Sequence, residues 1–474
     1  MKSTRPYPGN NSYSMSRKRN FEHYKNLIRQ PNSLRLIVLA VILIACFLRV
    51  KLYSDPALSI AGNDTQSYID SSRASLSSRE FFTGRRLFST NLLYKLFVPN
   101  DYEIRINGSI ETSHLSLQPG FETLAVFQFA LSVIGWSFLA FTFAEFIKDP
   151  LMKILGAGII VLFAFTPQMA DWDSILMSES PTFSLFAIQF SLTIWIVFSL
   201  YKNPASTNTI AGILWAFVFF LWVFLRDSNL YVIIIYIGAI VLTLAFAKYR
   251  KNKFLQMALL YLLVIFAIGV STSSQSSRFI IQLVNVYHDD IFPNPLRVQI
   301  LQEMGMPPPG SDTFNEWLGE SGGSAYIKFA ITHPGYTATK LTRDFPPSFR
   351  EIKQTYFRAT ELEPVRTYLI MIGEGLHAEN YSPFLIDVIL VASLIYIALK
   401  SRNEIVPWTV LGTILFLSST ITISAAIMGD TWALNRHALF STMSYRLLTW
   451  MLLVVFIDNV VTANTRQPAF TSGQ

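Results

Sequence analysis

An all-α polytopic membrane protein with about ten transmembrane helices and two large loops on one face is the fold the sequence predicts, and three observations predict it. Just over half of the 474 residues are hydrophobic (51%), 15% are charged, and the mean hydropathy is +0.37. That balance is too apolar for a water-soluble chain of this size. The apolar residues gather in ten runs, each near the roughly 20 residues a helix needs to cross a bilayer. Lys and Arg crowd the connections on one side of those runs, as they do on the cytoplasmic side of membrane proteins.

The elements follow in order. Residues 1–33 are polar and carry Lys2, Arg5, Arg17, Lys18, Arg19, Lys25 and Arg29, a composition expected of a disordered cytoplasmic tail. The run from Leu34 to Val50 lacks a small-residue cleavage site and is flanked by Arg49 and Lys51, so it reads as a retained first span. It opens a membrane domain of seven spans over 34–272, with a long first outer loop at 51–120 and further runs at about 121–147, 152–167, 179–200, 209–225, 229–247 and 254–272. A second large outer loop, 273–382, reads as short helices broken by turns such as MPPPGSD, ESGGS and DFPPSF. Three C-terminal spans occupy 383–462, at 383–399, 406–428 and 436–462, and 463–474 is a second cytoplasmic tail.

Composition also excludes classes of function. Cys46 is the single cysteine, so no disulfide within the chain and no CxxC metal pair is possible. HExxH, Walker and GxSxG motifs are absent, which leaves metalloprotease, nucleotide-hydrolase and serine-hydrolase readings without support. The net charge of +7 is explained by the basic tail and the KYRKNK turn facing an anionic inner leaflet, and no nucleic-acid partner is expected.

The remaining ionisable groups sort to one face. His114, His288, His333, His377 and His437 fall in outer segments, as do Asp64, Asp171, Asp173, Glu179, Asp227, Glu374 and Asp430. A transporter is expected to bury such groups near its midplane; their gathering at an outer face favours an enzyme. Four constellations stand out. In GNDTQSYIDSSR, Asp64 is a candidate general base or a helix cap, and Asn63 with Thr65 forms a glycosylation sequon. In TPQMADWDSILMSESPTFSLF, Glu179 follows Ser178, a plausible N-cap, and Pro181 lies in the first helical turn. Asp171 and Asp173 in the same turn are a candidate site for a divalent cation, which favours hard oxygens. In WVFLRDSNLYV, Arg226 is either a phosphate clamp or an interfacial side chain beside a neutralising aspartate. In MGDTWALNRHALFSTMSYRLLTWM, Asp430, Arg436 and His437 lie at the interface. Arg446 lies roughly 15 Å deeper, where an arginine must face the protein interior or a polar cavity; Arg436 is either a lipid-phosphate ligand or the partner of Asp430.

This order of motifs resembles the GT-C superfamily of integral membrane glycosyltransferases. It is similar to the dolichyl-phosphate-mannose protein mannosyltransferase-like branch and its bacterial relatives. GNDTQSYI resembles the acidic motif of the first loop, LMSESPTFSLF the Ser/Thr-Glu opening of a span, GDTWALNRHALF an acid-to-Arg-His motif before the last span, and RRLFSTNLLYKLF an Arg-rich stretch leading into an amphipathic helix. The chain departs from the pattern at Thr65, where the protein mannosyltransferases carry a second acid, and at Ala433 and Leu434. The resemblance implies inverting transfer of one sugar from a polyprenyl-phosphate donor to a glycan, lipid or protein acceptor at the outer face of a membrane, a bacterial plasma membrane being expected. It implies catalytic roles for Asp64, Glu179 and Asp171, donor-phosphate binding by Arg436, His437 and Arg226, and substrate contacts from Asp173, Asp430, His333 and Arg446. The alternatives from other classes are a flippase or transporter of a lipid-linked saccharide, with Arg446 as a headgroup contact, and an inactive membrane scaffold.

Overall fold

The computed structural model describes residues 31–52, 56–62, 64–99, 101–102, 118–204, 209–276, 278–350, 363–401 and 405–466. Most of the N-terminal tail, Asn63 of the sequon and His114 lie outside the described residues. Among those described, the chain is helical without a β-sheet.

In chain order, the first apolar run is α1 (Pro31–Leu52). The first loop contributes α2 (Thr65–Ser72), α3 (Arg79–Thr83) and α4 (Phe88–Phe97). Then come α5 (Glu122–Phe146), α6 (Pro150–Phe165), the single turn α7 (Pro167–Ala170), α8 (Glu179–Lys202), α9 (Thr209–Val223), α10 (Leu230–Ala245) and α11 (Lys253–Ser274). The second large loop folds as α12 (Ile280–Val286), α13 (Pro295–Glu303), α14 (Asp312–Trp317), α15 (Gly323–Thr332), α16 (Pro334–Asp344) and α17 (Glu363–Leu376). The chain ends in α18 (Ser382–Ser401), α19 (Val406–Gly429), the turn α20 (Leu434–His437) and α21 (Leu439–Arg466).

Each of the ten apolar runs is thus a helix, and the protein is an all-α, multi-pass membrane protein. Among the described residues, eight helices are long and apolar enough to span alone, α10 being counted with the short turn before it. The other two differ from ordinary spans for identifiable reasons. α6 breaks at Thr166 and bends by 53° into α7. Pro167 pushes the preceding residue out of helical geometry, and Thr166 is extended (φ −76°, ψ 154°). α9 has only 15 residues, about 22 Å at the usual helical rise, and gives way at Val223 to a turn that leads to the extended Arg226.

The main core is formed by α5, α6, α8, α19 and α21, around residues such as Leu139, Phe143, Phe163, Phe190 and Leu448. Contact between α5 and α8 is intimate: a Cβ on Gly135 would lie 2.6 Å from the Ser184 carbonyl oxygen. Glycine permits this approach, as small residues do between membrane helices. A second core, including Tyr287, Phe314, Leu318, Tyr326 and Phe329, holds α12 to α16 together. The Tyr326 hydroxyl donates to the Met428 carbonyl at 2.8 Å and fixes this small unit on the end of α19. One end of the bundle therefore carries nearly all the elaboration. The opposite end has short connections, where the Lys148 and Asp149 amides donate to the buried Asp458 carboxylate.

Candidate active site

At the elaborated end, an extended segment of the first loop is tied to the turn before α8. The Ile60 amide donates to the Ser174 carbonyl and the Leu176 amide to that of Ile60, both at 2.9 Å, making an isolated parallel bridge between Ile60 and Ile175. Gln128 of α5 braces the turn by donating to the Asp173 and Ile175 carbonyls. Thr65, fully buried, donates its hydroxyl to the Leu176 carbonyl and accepts the Gly62 amide. Gly62 is needed here, since a Cβ would sit 2.6 Å from the Met177 sulfur. These contacts bring Asp64 at the start of α2 beside Glu179 at the start of α8.

Arg436 joins the two acids. Its Nε donates to Glu179 Oε1 at 2.9 Å and a terminal nitrogen donates to Asp64 Oδ2 at 2.6 Å. Arg226 lies 3.3 Å from the same Glu179 oxygen, and Arg86 donates to Asp64 Oδ1 at 3.0 Å. Three guanidinium groups thus face two carboxylates, leaving one net positive charge. Glu179 is fully buried, and its Oε2 has no hydrogen-bond partner among the described residues. Such an orphan is costly.

The surrounding residues hold this geometry. Arg86 also donates to Ser67 and lies 4.1 Å over the Tyr68 ring; Tyr68 stacks on Tyr94 and its hydroxyl is 3.2 Å from that of Ser178. The Ser89 amide and Thr90 hydroxyl bind the Phe224 and Leu225 carbonyls, anchoring α4 to the turn that carries Arg226. Arg436 is presented by a tight turn in which Ala433 is left-handed (φ 48°), an uncommon conformation for a residue with a Cβ. Burial would raise the Asp64 pKa, but Arg436 and Arg86 outweigh it and bring it to about 2. Burial likewise opposes the charge on Arg436, yet Glu179, Tyr68 and Asp64 raise its pKa further above the ordinary range.

These contacts show which partner each of these side chains takes. Asp64 occupies the N-cap position of α2 but makes no side-chain cap; its carboxylate is taken by arginines. Ser178 likewise does not cap α8. Arg226 turns to Glu179, while Asp227 pairs with Arg278. Asp430 pairs with His437 at 3.2 Å, leaving Arg436 for the acids.

Other expected residues belong to different groups. Asp171 accepts two hydrogen bonds from Arg366 of α17. Asp173 is buried against Arg49 at 2.9 Å and accepts from the Ser180 hydroxyl. With a guanidinium already on each, these two acids do not fit a divalent cation, and no group of three or more potential metal ligands occurs among the described residues. Arg446 is buried and donates to the Phe349 and Ala378 carbonyls, bracing two loops against α21. His333 caps the junction of α15 and α16 near the Phe329 carbonyl. In the second loop, Asp290 is buried among Tyr336, Lys340, Arg343 and Arg297.

The residues not singled out in the sequence are Arg86, Tyr68 and Tyr94 in the cluster, and Arg49 and Arg366 on the neighbouring acids. Arg86 lies in the RRLFSTN stretch, so its segment carried a signal although the residue did not. Arg49 reads in sequence only as the end of a span.

No protein-family model matches the chain, and no curated protein matches it. Among solved structures, similarity is found to archaeal oligosaccharyltransferases from Archaeoglobus fulgidus. The AglB structure in complex with an inhibitory peptide and a dolichol-phosphate matches with a TM-score of 0.41 and 13% identity, over 92% of this chain and 52% of that one. The apo form of the oligosaccharyltransferase matches with a TM-score of 0.43 and 15% identity, over 90% and 51%. The chain spans about half the length of these proteins.

Proposed function

We propose that the chain is a membrane glycosyltransferase that moves a sugar from a polyprenyl-phosphate donor to an acceptor hydroxyl, with inversion, at the face carrying the Asp64–Glu179–Arg436 cluster. The observation that carries this reading is Arg436 bridging two acids from distant segments, with Arg86 and Arg226 beside it. An excess of guanidinium charge at the membrane surface suits a lipid-linked phosphate, and carboxylates next to it suit a hydroxyl acceptor. In the reaction, the acceptor oxygen attacks the anomeric carbon while the bond to the phosphate oxygen breaks. The phosphate leaves with the electron pair and the hydroxyl proton passes to Asp64.

Asp64 is a weak base while two arginines hold it. A donor phosphate competes for Arg436, Arg226 and Arg86, and drawing them away raises the basicity of Asp64 when substrate is present. Glu179, through its unpartnered oxygen, orients a sugar or acceptor hydroxyl, and His437 with Asp430 supports the turn that presents Arg436. On this reading Asp171, Asp173, Arg446 and His333 support the site from outside it, and the segment 273–382 covers it. On this reading the opposite face, with both termini, lies in the cytoplasm of a bacterial plasma membrane, and the basic connections support that orientation.

The test is transfer of radiolabelled sugar from a panel of polyprenyl-phosphate donors in membranes containing the wild type or Asp64→Asn. Transfer by the wild type that is lost in the variant at equal protein level supports the reading. Equal transfer by both removes Asp64 from the chemistry.

A further inference from the structure

A cavity of about 340 Å³ opens at the end of the bundle opposite the ionic cluster, between α8, α10, α11 and α19. Its size falls within the roughly 300–1,000 Å³ of small-molecule sites. Its walls are apolar and aromatic, with Trp215, Tyr236, Ala239, Phe246 and Phe254 among them. Nothing in the proposed transfer chemistry uses it.

The mouth is strongly basic. Lys202 at the end of α8, and Lys248, Arg250, Lys251 and Lys253 on the connection from α10 into α11, are all exposed at the ends of the helices that line it, and no acidic residue occurs from 180 to 226 or from 228 to 288. Cation and cavity are physically joined: the Lys248 ammonium lies 5.8 Å over the Tyr201 ring and 5.4 Å over the Tyr249 ring, and both tyrosines line the cavity. The turn is held in place by Asn252, which caps α11 through the Leu255 amide and donates to the Pro204 carbonyl at 2.7 Å. A basic turn alone would attract any anionic surface. One fixed over an aromatic cavity fits a ligand with an anionic head and a hydrocarbon tail.

We infer that this cavity is a binding site for an anionic phospholipid, with one acyl chain between α8, α10, α11 and α19 and the phosphate headgroup on the Lys248–Lys253 turn. The charge of the mouth selects the anionic headgroup, and the apolar walls accept the chain.

The test uses the full chain in nanodiscs containing phosphatidylglycerol or phosphatidylcholine with brominated acyl chains, reading bromine quenching of Trp215 as the difference between wild type and Trp215→Phe. Brominated phosphatidylglycerol is expected to quench at about tenfold lower mole fraction than the phosphatidylcholine at low salt. The combined variant Lys248→Ser, Arg250→Ser, Lys251→Ser and Lys253→Ser, confined to an exposed turn, should make the two lipids equal. Ala239→Phe, which fills the cavity without changing charge, should abolish quenching by both while thermal unfolding is retained. Equal quenching in the wild type assigns the cavity to ordinary bilayer lipid and overturns the inference. So does a preference that survives removal of the four charges, or quenching unchanged by Ala239→Phe.

Discussion

Replacing Arg436 by methionine removes one of three cations from the cluster and both hydrogen bonds that join its acids. Glu179, fully buried, then keeps only Arg226 at 3.3 Å, and Asp64 keeps Arg86 at 3.0 Å. Removing one partner of a buried ion pair costs about 3–5 kcal/mol. Because each carboxylate retains a second guanidinium and Asp64 is partly exposed, a folding loss of about 2–3 kcal/mol is expected here. Catalysis should lose more, since one preorganised donor facing developing charge is worth about 10²–10³ in rate. Arg436→Lys separates the two effects. A lysine restores the charge but not the planar fork that reaches Glu179 and Asp64 along different edges, so stability should return further than rate. The assay is sugar transfer from a polyprenyl-phosphate donor in proteoliposomes, with thermal unfolding of the same preparations. The reasoning fails if Arg436→Met is folded and keeps more than about a tenth of wild-type turnover, or if Arg436→Lys is indistinguishable from wild type in rate.

The depressed pKa of Asp64, about 2 against 3.8, fixes a pH window. Its stabilising contribution is fully present above the unfolded value and is lost as pH falls toward 2, so neither stability nor unliganded binding of a phosphate probe should show an Asp64-dependent limb from about pH 5 to 8. A limb in that window that disappears in Asp64→Asn contradicts the assignment. Arg49→Met leaves Asp173 buried with only neutral partners and should lower unfolding stability by about 3–5 kcal/mol, while the double variant with Asp173→Asn should recover most of it. An additive double variant would show that the pair contributes nothing as a pair. Gly135→Ala places a methyl 2.6 Å from the Ser184 carbonyl oxygen and should cost about 1–3 kcal/mol by forcing α5 from α8; an unchanged unfolding midpoint would show that the helices can part freely.

The ten helices were legible because hydrophobicity over a span is a summed, local property. What was less legible depended on partners distant in sequence. Asp171, Asp173 and Glu179 lie within nine residues of one another and look alike in the sequence, yet no two of them share a cation. Asp171 meets Arg366, Asp173 meets Arg49, and Glu179 meets Arg436 and Arg226. The Ile60–Ile175 bridge lies between Asp173 and Glu179, and neither partner of that bridge identifies the other from sequence. Thr65 shows the same limit from the other side. In sequence it is a missing acid; in the fold it is a fully buried hydroxyl that accepts the Gly62 amide and donates to the Leu176 carbonyl. An aspartate there would set a charge against the Leu176 carbonyl oxygen, which is unfavourable in a buried setting. Arg86 supplies what a second acid at position 65 could not: a hydrogen bond that steers Asp64 toward Glu179 and Arg436. In the fold, a single first-loop acid, Asp64, is thus aimed by two cations from distant segments, Arg86 and Arg436.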